Sequence, residues 1–246
     1  MSTSDPLMPL ATLPGVAEAV DAVRAAMDGL LREPALRRSR GDVRALARVR
    51  SAWASASLAG CEIGLDDFEP PFPDDESGRL AEASLQAASE VGGLADIWRR
   101  APLQALARLH AVASAGLADP DERGRPRTDP VVGRRLATLA DVVSQTTVSG
   151  VVVSAVVHGE LMSLRPFGSV DDIVARAASR VVLVQRGVDP DALTVPEVGM
   201  QELGVDAYRE ALDGFAAATP EGLAHWVTFH AAAVQRGAAY TRTLCR

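Results

Sequence analysis

Residues 158–186 read HGELMSLRPFGSVDDIVARAASRVVLVQR. The first seven keep the apolar spacing of a helix, and Pro166 disfavours helical geometry at the residue before it, so that helix ends at Leu164 or Arg165. Gly168 and Ser169 suit a tight turn, and Asp171-Asp172 supplies a carboxylate to cap a second helix. The pattern is helix, six-residue loop, helix. A loop that runs into a helix N-terminus presents backbone N–H groups, the raw material of an anion site.

Outward from this hairpin the chain keeps a helical rhythm. Towards the N-terminus, the periodicity predicts helices over 150–164, 130–143 and from Pro102, with Leu103, Leu106, Ala107 and His110 on one stripe. The valines at 151–153 and 156–157 have strand propensity, but their alanine-rich surroundings and the length of the segment favour helix. Upstream, a helix over 77–91 breaks at Gly92-Gly93, and a shorter one runs to Arg100. A Pro-rich acidic loop spans 61–76. Asp42 caps a helix to Leu58 with Val43, Leu46 and Trp53 on one face, and Val16–Arg32 forms another. Residues 1–14 read as a loose arm. Towards the C-terminus, Gly187 ends the second hairpin helix, Asp189-Pro190 turns the chain, and helices follow over 208–217 and 223–240. The fold class is all-α, with an N-terminal helical region (1–75) and a helical core (76–246) packed as one unit.

Composition narrows the chemistry. Of 246 residues, 48% are hydrophobic and only 4% aromatic, so Ala, Leu and Val must fill the core. The net charge of −7 argues against a protein held to nucleic acid by phosphate contacts, despite basic runs at 37–40 and 123–135. All 25 basic residues are Arg; without a lysine, neither a P-loop nor a Schiff base is available. Cys61 and Cys245 are too few and too far apart for a disulfide framework or a zinc site, which points to the reducing cytoplasm. The longest apolar-rich run, 148–157, is too short for a bilayer, and no signal peptide is read at the N-terminus. His110 on its apolar stripe reads as a core histidine with satisfied partners. His225 and His230, five apart, do not share a helix face, and no metal site is expected.

The central stretch resembles the Fic (Fido) family motif HPFxxGNGRxxR. Laid on without gaps, the family's catalytic His falls on Arg165, and its Pro and Phe are kept as Pro166 and Phe167. Gly168 takes the next position and Ser169 the metal-binding acidic one. Val170-Asp171-Asp172 takes the place of Gly-Asn-Gly, Ile173 that of the first Arg, and Arg176 keeps the last Arg. Upstream, Ser55, Ser57, Ala59 and Gly60 resemble the family's inhibitory helix, [S/T]xxxE[G/N], with Ala59 in place of its Glu. The LARLHAVASAG stretch, the GRPR turn at 124–127 and the Tyr208 and Trp226–Phe229 tail are similar to further Fic landmarks in the same order. Members of that family mostly move AMP from ATP to protein hydroxyls, with Mg²⁺.

The substitutions bear on that implied chemistry. Arg165 cannot act as a base, because a guanidinium stays protonated. Val170 and Asp172 remove the glycines that let backbone approach phosphate, and Asp171 and Asp172 place negative charge where phosphate would sit. The resemblance therefore implies a Fic-like fold that does not perform ordinary AMP transfer and works by binding a protein partner or ligand in regulation, with self-association compatible. It names no catalytic residue. A transferase with unconventional groups at Arg165 and Asp171, using ATP or another nucleotide with Mg²⁺, is the enzyme alternative. A helical nucleic-acid or transcription-linked domain, using the two basic runs, is the third.

Overall fold

Residues 5–245 are described by a computed structural model, and among them the elements are helices joined by turns, with no strand. In chain order they are α1 (Met8–Ala11), α2 (Val16–Leu31), α3 (Ala35–Leu58), α4 (Glu76–Arg100), α5 (Pro102–Ala113), α6 (Pro130–Gln145), α7 (Gly150–Leu164), α8 (Asp171–Gln185), α9 (Pro196–Leu203), α10 (Val205–Ala217) and α11 (Pro220–Leu244). The all-α expectation holds. No helix among the described residues is long and apolar enough to cross a membrane.

The hairpin α7–α8 lies at the centre, which explains its composition. Eleven of the fifteen residues of α7 are buried, and twelve of the fifteen of α8. A helix covered on all sides has no need of a polar face. The valines that tempt a strand assignment are thus the surface on which neighbours pack. On one side α8 meets α4 and α5; α11 closes the other, against α2, α7, α9 and α10. Trp226 of α11 is fully buried and donates its indole N–H to the Ala155 carbonyl oxygen at 2.8 Å. Small residues set the closest approaches. A methyl group on Gly199 of α9 would collide with the Ala233 backbone of α11, and one on Gly237 with Val195.

The N-terminal helices share this interior. Val23, Met27, Leu30, Leu36 and Val43 form one cluster with Val151, Leu183, Leu193 and Val234.

Several local expectations need correction. Helix α3 starts at Ala35, ahead of Asp42, and kinks at Ser39 (φ −138°, ψ 38°), so Asp42 sits inside the helix and caps nothing. Leu46 and Leu103 are exposed; Val43, Leu106, Leu109 and His110 carry the packing instead. Helix α4 runs unbroken through Gly92-Gly93, held by the buried Val91, Leu94 and Trp98 on either side, with the Arg44 guanidinium of α3 lying over Gly92. The short α9 lies between the Asp189-Pro190 turn and the helix expected from 208, a stretch to which the sequence assigns no element. The expected arm is not loose over 5–14: it holds α1, and Asp5 accepts hydrogen bonds from Thr146 Oγ1 (2.6 Å), the Thr147 N–H (2.6 Å) and Thr147 Oγ1 (2.9 Å). Residues 1–4 of that arm lie outside the described residues.

Candidate functional site

The loop between α7 and α8 is built from three left-handed residues, Arg165 (φ 47°), Gly168 (φ 83°) and Val170 (φ 45°). Left-handed geometry is disfavoured for a β-branched residue such as Val170 and persists only where the surroundings fix it. Arg127 fixes the other end of the loop, at left-handed Arg165. Its backbone N–H donates to the Pro166 carbonyl oxygen (2.8 Å), its Nε to that of Arg165 (3.0 Å) and its Nη2 to that of Leu164 (3.1 Å). Carbonyls left open at the end of α7 are thus capped by the Gly124–Arg127 turn.

Asp171 closes the loop from the other side. It is not a helix cap: the capping position is Val170, and Asp171 is the first residue of α8. Its carboxylate turns back and accepts from the backbone N–H of Phe167 (2.9 Å) and of Gly168 (2.7 Å). Burial raises its pKa, and the two N–H donors and the charges of Arg165 and Arg127 partly offset this. Asp172, one residue on, forms an ion pair with Arg176 Nη2 at 2.9 Å. Burial works to raise the Asp172 pKa, but Arg176 outweighs it and holds the carboxyl below its ordinary range. Arg176 itself is 2% exposed, and donates from Nε to Ser55 Oγ (2.9 Å) and from Nη2 to the Ser55 carbonyl oxygen (2.9 Å).

His110 completes the frame. Its ring stacks on Phe167, with centroids 4.2 Å apart and planes 4° from parallel. The Gly124 N–H donates to Nδ1 at 2.9 Å, so the neutral ring carries its proton on Nε2, which faces Ser169 Oγ at 3.1 Å. Burial pushes its pKa down to about 4, against a smaller upward pull from Ser169. The Ser169–His110 pair therefore resembles a nucleophile and base in spacing but not in chemistry. The nitrogen facing the hydroxyl already holds a proton and cannot take another at neutral pH. Here His110 is a core histidine with both nitrogens partnered, as its stripe suggests.

Behind the loop runs a buried polar chain that sequence reasoning did not assemble. Ser154 Oγ gives its hydrogen to the Ser179 carbonyl oxygen (2.9 Å) and so accepts from His230 Nε2–H (2.9 Å). His230 Nδ1 is then bare and faces the Nδ1–H of His158 (3.4 Å), while His158 Nε2 accepts from the Tyr208 hydroxyl (2.8 Å). The Tyr208 oxygen lies beside the Arg176 guanidinium. Burial depresses both histidines, His230 to about 3 and His158 well below its ordinary value, the latter with help from His230 and Arg176. It also lifts Tyr208 to about 12, Arg176 pulling weakly the other way. The available signal was spacing: Ser154 and His158 are four apart on α7, as are Trp226 and His230 on α11.

Arg165 to Val170 form the loop, with Pro166 and Phe167 buried, and Asp171 and Asp172 open α8, which carries buried Arg176. Of these residues Phe167, Gly168 and Ser169 border an open cleft of about 960 Å³, facing the 115–128 loop, whose rim carries Asp119, Asp121 and Glu122 alongside Arg123, Arg125 and Arg127. Of the inhibitory-helix-like residues, Ser55 reaches the site. Ser57 and Ala59 make no hydrogen bond to Arg176, and Gly60 (φ 103°) is the left-handed residue just beyond α3. Among the described residues no group of three or more His, Cys, Asp or Glu side chains is placed to hold a metal ion.

No protein-family model matches the chain, and no curated protein matches it. Solved structures do. A Fic family protein from Desulfovibrio desulfuricans G20 is 18% identical with a TM-score of 0.73, the match covering 92% of this chain and 74% of that one. Fic-1 from C. elegans is 14% identical with a TM-score of 0.63, covering 92% and 72%. At such identities the likeness speaks for architecture, and the architecture is plain: this chain is built on the helical Fic fold.

Proposed function

We propose that this protein is a Fic-fold binding module that does not transfer nucleotide, and that it acts on a protein partner or ligand through the cleft beside Phe167–Ser169. The observation that carries this reading is the Asp171 carboxylate seated on the Phe167 and Gly168 N–H groups. A phosphate approaching this helix start meets a carboxylate already bound to the loop and a second one on Asp172. Arg176, which the resemblance would assign to the far phosphates, is buried and held by Asp172 and Ser55. No base faces the cleft from the motif: Arg165 is permanently charged, and His110 offers Ser169 a nitrogen that already carries its proton. The free thiols Cys61 and Cys245 fit a reducing compartment.

The test is calorimetric titration of the full chain with ATP, GTP, CTP, UTP and AMP, each with and without Mg²⁺ or Mn²⁺, followed by intact-mass measurement. Flat titrations and an unchanged mass are expected. Saturable nucleotide binding that weakens on Arg165→Ala, together with a nucleotidyl mass gain on the protein or an added target, overturns the reading. The positive arm is a photo-crosslinking amino acid at Arg125 on the cleft rim. It should give a discrete adduct that one at exposed Leu46, on α3 and outside the cleft lining, does not.

A further inference from the structure

Three deeply buried polar atoms converge on one small void without a hydrogen-bond partner among the described residues: Ser84 Oγ of α4, Arg180 Nε of α8 and Glu197 Oε2 of α9. The three residues are 1%, 3% and 2% exposed. Ser51 and Ser55 of α3 also border the void, and Ala87, Ile173 and Ala177 give it apolar walls. Leaving buried donors and acceptors unmet is costly, and native interiors rarely do so without an occupant.

The remaining groups of Arg180 are engaged. Its Nη1 donates to Ser51 Oγ at 2.6 Å, and its Nη2 to the carbonyl oxygens of Ala192 (3.3 Å) and Thr194 (3.2 Å). Of its three nitrogens Nε alone has no hydrogen-bond partner among the described residues. It faces Glu197 Oε1 at 4.0 Å, too far for a direct hydrogen bond and a separation at which one bridging oxygen is to be sought.

Size and charge then select the occupant. The void is about 10 Å³, at the lower limit for one water and too small for anything larger. The guanidinium and the carboxylate balance, so a cation would face Arg180 and an anion would face Glu197, each unfavourably. A neutral molecule that both donates and accepts satisfies all three atoms. It would accept from Arg180 Nε–H, donate to Glu197 Oε2 and exchange a hydrogen bond with Ser84 Oγ.

We propose that the junction of α3, α4, α8 and α9 is a specific site for a single ordered water, which joins Arg180 to Glu197 and Ser84. Its placement has a structural consequence. Ser55, which borders the void, is also the residue that holds Arg176. The water thus completes the polar seam that fastens the end of α3 to the helix carrying the cleft loop.

A high-resolution crystal structure of the full chain tests this, with Ser84→Ala and Ser84→Val alongside. In the wild type one spherical density peak is expected within hydrogen-bond distance of all three atoms. Ser84→Ala keeps the void and should keep the peak; Ser84→Val fills the void with methyl groups and should lose it. Water-¹⁷O relaxation dispersion in solution should count one long-lived water fewer in Ser84→Val than in wild type. A wild-type map with no peak and Arg180 Nε bonded directly to Glu197 overturns the proposal. So does an anomalous signal at the site after a bromide or rubidium soak. If Ser84→Val does not fold, the wild-type and Ser84→Ala maps decide the matter alone.

Discussion

Acid should unfold this protein steeply, and the slope can be worked out in advance. His110, His158 and His230 are each at most 1% exposed, with the first held near pKa 4, the third near 3 and His158 well below its ordinary 6.5. In the unfolded chain all three return to about 6.5. Between pH 6.5 and the depressed folded values, the unfolded state binds protons that the folded state refuses. Stability therefore falls as pH falls through that window. With three such groups the limiting slope is about 4 kcal/mol per pH unit, and His110 alone contributes about 3 kcal/mol across its range. Asp171 opposes this: its raised pKa means the folded state holds a proton the unfolded state has lost, so its contribution improves as pH drops towards 3.8. One carboxyl acts against three imidazoles, over a lower window. Asp172, held below its ordinary value, adds to the loss only below about pH 3.8.

The assay is urea unfolding followed by tryptophan fluorescence at half-unit steps from pH 7.5 to 4.5. A domain with ordinary stability of about 5–15 kcal/mol would lose most of it within roughly two to three units below pH 6.5. His110→Gln is the informative variant. A glutamine can accept from the Gly124 N–H and donate to Ser169, so it keeps both contacts without the titration. It should flatten the slope by about 1.4 kcal/mol per pH unit. If unfolding free energy changes by less than about 1 kcal/mol between pH 7 and 5, the three imidazoles are not buried as neutral groups and the reasoning fails.

Three further outcomes follow from particular contacts. Tyr208→Phe leaves His158 Nε2 without its donor and removes a neighbour from Arg176, so thermal or urea denaturation should show a loss of about 1–3 kcal/mol; an unchanged midpoint would refute the buried chain. Gly199→Ala drives a methyl group into the Ala233 carbonyl and should cost about 1–3 kcal/mol in the same assay, whereas Gly93→Ala, exposed inside α4 with nothing nearby, should raise stability by about 0.5–1 kcal/mol. Ala218→Gly should raise stability by roughly 0.5–1 kcal/mol, since this exposed residue ends α10 in the left-handed region (φ 55°) where glycine fits without strain; a lower melting temperature would contradict that.

Most helices were legible because their signals are local. Pro166 stops α7, Pro102, Pro130 and Pro220 sit at first helical positions, and Gly187 follows the end of α8. What was not legible depended on distant partners. Gly92-Gly93 disfavours a helix by propensity, yet Val91, Leu94 and Trp98 on either side are buried in the core, and packing wins over propensity there. Helix α9 is eight residues long and buries Glu197 along with Val198 and Met200, so its polar and apolar residues do not sort onto two faces. The position of Arg176 could be read from the motif, but its partners could not. Ser55 lies 121 residues away, and the pairing exists only because α3 ends over α8.

The same dependence on partners explains why the altered loop positions belong together. Asp171 satisfies the Phe167 and Gly168 N–H groups, and Asp172 balances a guanidinium that has been taken out of water. Removing Asp172 alone would leave Arg176 buried without a carboxylate, and removing Asp171 alone would leave two N–H groups without their acceptor. Either loss costs stability before any ligand gains a place. On the binding reading proposed above, converting the loop to an anion site by single substitutions is therefore uphill. Such a conversion would need Asp171 and Asp172 changed together, Val170 replaced by glycine to open the backbone, and Arg176 freed from Ser55. Each of those steps undoes a contact that now holds the α7–α8 loop or the end of α3 in place. On that reading the loop's own carboxylates take the N–H groups a ligand would use, and the exposed charged groups beside it lie along the cleft wall formed by residues 115–128.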